Sequence, residues 1–148
     1  MSDLRQTEVT SKHGMREVAG HVIDTAAACM AAHVTLIVPI RRVAERFGYA
    51  VALHGSLARD IDLVAIPWTD EAVGPELFVW AFPGLVKGYE GGSFGSVDAD
   101  CPRDKPHGRR AWSIHGWAFY IDLSIMPRVA DATNDAPHAR VGKGQLPG

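Results

Sequence analysis

Two nearly continuous apolar runs, residues 49–55 ("YAVALHG") and 61–67 ("IDLVAIP"), stand only five residues apart. No other feature of the chain limits its fold as much. Short apolar runs of this kind read as strands, and near-continuity predicts strands covered on both faces. The connection between them, "SLARD", is too short for anything but a tight turn, with Ser56 and Asp60 as capping residues. Two carboxylates follow at alternate positions, Asp60 and Asp62. Side chains alternate along a strand, so both acids share one side of it. Their Cα atoms would lie about 6.6 Å apart.

The rest of the chain supplies helices and a second strand pair. Val18, Val22, Ala26, Cys29 and Met30 recur at helical spacing and predict a helix over about 15–30. Leu36, Ile40, Val43, Ala44 and Phe47 predict a second, with Pro39 in its first turn and Gly48 as its C-cap. Thr69-Asp70-Glu71 reads as the N-cap of a third helix over about 71–82, which starts twice, or only at Pro75, because of Gly74-Pro75. Residues 83–110 are rich in Gly, Pro and charge and read as one long loop, a kind that is usually functional or mobile. "AWSIH" and "AFYIDLSIMP" read as strands joined at Gly116-Trp117. The expectation is an α+β fold: a small mixed or antiparallel sheet of about four strands with two or three packed helices. A single domain over 15–127 would lie between a flexible arm, 1–14, and a flexible tail, 128–148.

A chain of 148 residues with a formal charge of −2 lacks the basic footprint of a non-specific nucleic-acid binder. Its two cysteines, Cys29 and Cys101, sit in unlike contexts and form no C-x-x-C pair. They read as thiols of a reducing compartment, which points to the cytoplasm. The N-terminus has no apolar core of a secretory signal. The longest apolar run, 26–38, is broken by His33 and Thr35 and reads as too short to span a bilayer, so no membrane association is expected.

Asp122 lies within the otherwise apolar run "YIDLSIMP". A charge there needs a partner or a purpose. Together with Asp60 and Asp62 it would make a set of hard oxygen donors suited to Mg²⁺, which is commonly held by a few carboxylates and substrate phosphates. Three such acids can clamp two ions, one beside the attacking oxygen and one beside the leaving group. Gly55-Ser56 would allow close approach of a phosphate to the backbone.

With these residues in place, "HGSLARDIDL" resembles the signature of the polymerase-β-like nucleotidyltransferase superfamily in its minimal bacterial form. The resemblance covers about half the chain, 49–126, and its specific part is about ten residues. It implies a nucleotidyltransferase-like fold and Mg²⁺-dependent transfer of a nucleoside monophosphate from an NTP to a hydroxyl acceptor, using two ions. On that resemblance Asp60, Asp62 and Asp122 would be the catalytic metal ligands, with Asp122 helping to activate the acceptor. Gly55 and Ser56 would hold the triphosphate, with Arg59 and Arg109 as further nucleotide-binding groups. Family members place most of a short helix between the Gly-Ser turn and the Asp-x-Asp strand, whereas this chain has only Leu57, Ala58 and Arg59 between Ser56 and Asp60. That departure motivates the alternative: a catalytically inactive binding or inhibitor protein of the same fold, acting through a protein or nucleotide partner. A looser resemblance to phage and prophage proteins, through "HGSLARD" and "HGRRAWSIH", fits a phage-encoded module.

The seven histidines show no zinc-site spacing. His54 and His115 fall beside the acids and are candidates for general acid–base work. "HVT" at His33 and "HGS" at His54 only loosely match paired H-x-T/S phosphoesterase motifs. "KPHGRR", 105–110, is a basic cluster that suits phosphate or reads as a solvated turn, and Arg59 and Lys87 could extend it. Of the four tryptophans, Trp117, at a turn, is the one placed for stacking or a partner surface.

Overall fold

Asp24 and Gly48 mark the two ends of the longest element in the computed structural model, which describes residues 15–18, 20–92 and 95–129. The expected arm, 1–14, and nearly all of the expected tail lie outside the described residues. Helix α1, Thr25–Phe47, begins where the Asp24 carboxylate accepts the Ala27 N–H at 3.1 Å. It ends at Gly48, whose φ of 85° lets its N–H reach back to the Ala44 and Glu45 carbonyls. No larger residue fits there, because a Cβ would come within 2.6 Å of Ala72 Cα.

Ahead of α1 the expected helix is a hairpin instead. Strands β1, Met15–Val18, and β2, His21–Asp24, pair antiparallel. Gly20, at φ 80°, closes the turn that the helical spacing of Val18, Val22 and Ala26 ran across. The two expected helices then merge into one, with Pro39 in its interior. Pro39 cannot donate to the Thr35 carbonyl, yet Leu36 and Ile40, on either side of it, are both buried and hold the two halves to the same core. At 23 residues α1 is long and apolar enough to cross a membrane by length and composition, longer than the broken run 26–38 suggested. One stripe of it, Cys29, Ala32, Leu36, Ile40 and Ala44, is nevertheless packed inside the fold.

The sheet is built from β3 (Tyr49–Leu53), β4 (Ile61–Pro67), β5 (Ser96–Val97), β6 (Arg103–Asp104), β7 (Arg110–His115) and β8 (Tyr120–Ile125). Its order is β3-β4-β8-β7-β5, with β6 also on β7. Only β4 and β8 run parallel; the other pairs are antiparallel. The fold is thus α+β with a mixed sheet of six strands, two more than expected, both of the extra ones two residues long. Helices α2, Pro75–Val79, and α3, Phe82–Glu90, follow β4. The helix expected from 71 therefore starts only at Pro75, and α3 takes the first part of the expected loop. Composition concealed α3 because Gly84 and Gly88 face open space, while Phe82 and Val86 supply its buried side.

The helices cover one face of the sheet. Val51, Leu63, Ala65, Ile114, Ile121, Leu123 and Ile125 form one core with the buried side of α1 and with Phe78, Phe82 and Val86. Phe78 is its centre: it stacks on Tyr49 at 4.4 Å and meets Phe82 edge-on at 5.2 Å. The Tyr49 hydroxyl donates to the Val73 carbonyl at 2.6 Å. The expectation that β3 and β4 are covered on both faces does not hold. On the second face Ala52 is exposed and Ile66 is 42% exposed. The runs look continuous because that face carries small or partly covered apolar residues, not because it is packed.

Phe78→Ala should therefore cost about 3–5 kcal/mol. At about 2–4 °C per kcal/mol for a chain of about this length, calorimetry should show the midpoint falling by at least about 6 °C.

Candidate functional site

The second face of the sheet gathers its polar side chains at one end. Asp62 of β4 and Asp122 of β8 are direct partners in the parallel register. Neighbouring strands lie roughly 4.8 Å apart, so the two carboxylates rise side by side. Ser113 of β7 is the antiparallel partner of Asp122, and His115 that of Tyr120. On the other flank the His54 N–H donates to the Asp62 carbonyl at 2.9 Å, extending the β3–β4 ladder by one bond. A row of His54, Asp62, Asp122 and Ser113 thus crosses four strands.

Asp60 stands immediately before β4, beside Asp62 and the Tyr120 hydroxyl. Burial holds the Asp62 carboxyl above the usual carboxylate range. The charge of Asp60 adds to this, His54 opposes it, and Asp122 adds a further push. Burial, then the hydrogen bond to Asp60 and the charges of Asp60 and Asp122, push the Tyr120 phenol up to about 12, so Tyr120 remains a hydrogen-bond donor near neutral pH. Asp122 Oδ1 is buried and has no hydrogen-bond partner among the described residues. An orphaned carboxylate oxygen is costly unless a cation or donor meets it.

The turn from β3 to β4 is shaped by two left-handed residues. Gly55, at φ 87°, lies against the Asp62 carboxylate, and a Cβ there would overlap Asp62 Oδ2. Leu57, at φ 59°, is buried in the main core. It pins the short connection where family members of the resemblance carry helix. Ser56 is exposed and its hydroxyl accepts the Ala58 N–H at 3.4 Å, within its own loop. Arg59 is exposed, and its charge acts on Tyr120.

Asp60, Asp62, Asp122, Gly55 and Arg59 are therefore brought together, with Ser56 at the rim. Arg109 is not. It lies four residues before Ser113, about 13 Å along the strand, and its carbonyl accepts the Lys105 N–H at 2.8 Å in the 105–109 turn. The basic cluster is thus at the opposite end of the sheet from the acids. There Arg110 pairs with Glu76 and covers the Trp112 ring at 5.0 Å. Trp117 is half-buried, edge-on to His21 at 6.3 Å.

Sequence reasoning missed several members of the site. Tyr120 is two residues before Asp122, so the alternation that joined Asp60 to Asp62 applies to it equally. Ser113 required the true hairpin register: the loop is residues 116–119, closed by the Gly116 N–H to the Phe119 carbonyl at 2.9 Å, and not a two-residue turn. Arg103 and Asp98 come from the expected loop and carry no local signal. Arg103 reaches Ser113 Oγ at 3.3 Å, Asp98 at 3.0 Å and Asp100 at 3.3 Å. His115 stacks on Tyr120 at 5.8 Å, with Nε2 2.6 Å from Asp98 Oδ1 but off the line of a hydrogen bond.

Asp98, Asp100 and Cys101 are the one set of three metal-donor atoms within 4.8 Å of one another among the described residues. Arg103 already sits between both acids, and its hydrogen bond holds the Asp100 carboxyl below the usual range. The Cys101 sulfur accepts the Ser113 N–H at 3.3 Å. With a guanidinium in place, that cluster does not need a cation. Asp60, Asp62 and Asp122 are spread more widely, as ligands shared between two ions about 3.5–4 Å apart can be.

The raised Asp62 carboxyl sets a pH dependence. The folded chain binds this proton more tightly than the unfolded chain, so stability rises as pH falls through the window above 3.8 and is lost as pH rises. At neutral pH the ionised group is a net cost in metal-free protein. Asp62→Asn, whose amide can donate to Asp60, should raise the metal-free midpoint at pH 7. The gain should close towards pH 4, and thermal scans across pH read both.

No protein-family model matches the chain, and no curated protein or solved structure is significantly similar to it, so the reading of function rests on the geometry above.

Proposed function

We propose that this protein is nucleotidyltransferase-like: a cytoplasmic, Mg²⁺-dependent protein that transfers a nucleoside monophosphate from an NTP to a hydroxyl. The observation that carries the reading is the side-by-side pairing of Asp62 and Asp122 on parallel strands, with Asp122 Oδ1 buried and unpartnered. The donor set is all oxygen, which suits a hard divalent cation. Asp60 and Asp62 would hold one ion, and Asp62 and Asp122 the other. When bound, the ions supply charge neutralisation for the triphosphate and for the departing pyrophosphate.

The chain's own groups divide the remaining work. Gly55, without a side chain, lets the Asp62 carboxylate stand against the turn, and Arg59 adds positive charge at the rim. Tyr120 orients Asp60 through its hydroxyl. As the acceptor oxygen bonds to the α-phosphorus and the bond to pyrophosphate breaks, Asp122 Oδ1 takes the acceptor's proton. His54 and His115 flank the acids and can relay that proton outward.

A second reading has its own support. Ser56 turns its hydroxyl back on its own loop, and Gly55 is pressed against Asp62. Both follow from the missing helix and suit a phage-encoded chain that keeps the fold as a binding or inhibitor module with a protein or nucleotide partner.

Titration with Mn²⁺ in place of Mg²⁺, with and without a non-hydrolysable NTP, separates the readings. The proposal expects NTP binding that needs the metal and weakens at least about tenfold in Asp62→Asn and Asp122→Asn, with folding retained. Equal NTP affinity in both variants would sink it. Metal-dependent binding without turnover on any hydroxyl acceptor would favour the second reading.

A further inference from the structure

Helix α1 has two apolar sides, and among the described residues one is covered. The buried side is Cys29, Ala32, Leu36, Ile40 and Ala44. Nearly opposite lie Ala27, Ala31, Val34 and Val38, all exposed, with Val34 at 65% and Val38 at 51%. Met30, beside them, is 51% exposed. No charged residue interrupts this stripe between Asp24 and Arg41. A helix apolar on two sides is normally covered on both.

The spacing says what kind of cover fits. Asp24, Ala27, Ala31, Val34, Val38 and Arg41 follow one another at intervals of three, four, three, four and three. That is the repeat of a helix seam that packs against another helix. The seam is also complementary to itself when read in the reverse direction. Laid antiparallel on a second copy about a twofold axis midway between Ala31 and Val34, Ala31 faces Val34 and Ala27 faces Val38. Small residues meet larger ones at each layer. At the two ends Asp24 faces Arg41, acid against base. Both are exposed, and Asp24 spends one carboxylate oxygen on its cap and keeps the other.

We infer that the protein forms a homodimer through α1, with the two helices antiparallel and the Asp24–Arg41 pair closing each end. The match of size and charge under one symmetry operation selects a second copy over an unrelated partner. The inference is independent of the proposed chemistry, since α1 packs on the face of the sheet away from the acids. One helix pair buries less than a standard interface of about 1,600 Å², so the dimer is a weak one.

Sedimentation equilibrium of the full chain from about 10 μM to 1 mM tests it. The expected result is a concentration-dependent monomer–dimer equilibrium. Val34→Glu should leave a monomer at every concentration with unchanged circular dichroism and thermal midpoint, because the side chain points to solvent. Arg41→Glu should weaken the dimer about fivefold at low salt and less at high salt, since it sets two acids face to face. A monomeric wild type up to 1 mM overturns the inference, and so does a dimer that survives Val34→Glu. A dimer lost in Val34→Glu but indifferent to Arg41→Glu overturns the antiparallel register. A monomer that instead sediments with anionic phospholipid vesicles, and loses that binding in Val34→Glu, overturns it in favour of a lipid surface.

Discussion

The parallel pairing of β4 with β8 sets Asp62 beside Asp122, and much of the structure is arranged around that contact. Like charges directly opposite one another in a sheet are destabilising. Nothing in the backbone demands acids at these positions: the same register with neutral residues would be more stable. The two strands are nevertheless central, flanked by β3 and β7, and their alternate residues Ile61, Leu63, Ile121 and Leu123 are fully buried on the helix side. Apolar burial there, at about 25 cal/mol per Å², outweighs the repulsion above. The sheet therefore holds the two carboxylates side by side against their mutual repulsion. This separation of a stabilising face from a costly one is the strongest physical sign of function in the molecule.

The costly face is supported from both sides. Ser113 lies opposite Asp122 and is tied to Arg103, which in turn holds Asp98 and Asp100. His115 and Tyr120 stack, and Tyr120 lies beside Asp60. The polar groups thus form a chain around the carboxylates whose members restrict one another's rotamers. Fixed donors and acceptors of this sort lower the entropy cost of orienting a site. Asp122 Oδ1 and His115 Nε2 are the two points where the chain stops short of a hydrogen bond among the described residues.

Much of this could be read from residues alone, because alternation and spacing are local properties. Asp60, Asp62 and Asp122 could be singled out as acids at the edges of, or inside, apolar strands, and Gly48 as a cap. What could not be read depended on distant partners. Residues 15–24 fit a helical period, but Gly20 turns them into a hairpin. Pro39 predicts a helix start in isolation, yet Leu36 and Ile40 are anchored in one core and carry the helix through it. Arg103 and Asp98 look like any charged loop residues until β6 pairs with β7. Arg109 stands immediately before the strand that carries Ser113, and only that strand's direction puts it at the far end.

The connection between β3 and β4 shows how a departure from a pattern can be absorbed. With three residues between Ser56 and Asp60, no helix can form to set the turn's position. Leu57 does it by another route. It accepts a left-handed backbone, a conformation that costs a residue with a Cβ about 1–2 kcal/mol, and recovers that by burying its side chain in the main core. Gly55 takes the complementary strain without a side chain and so comes up against Asp62. The turn is therefore rigid and close to the carboxylates, where a helix would have held it further off. A phosphate bound there would have to approach from the open side of the sheet, over Ala52 and Val64, and not through the turn's backbone.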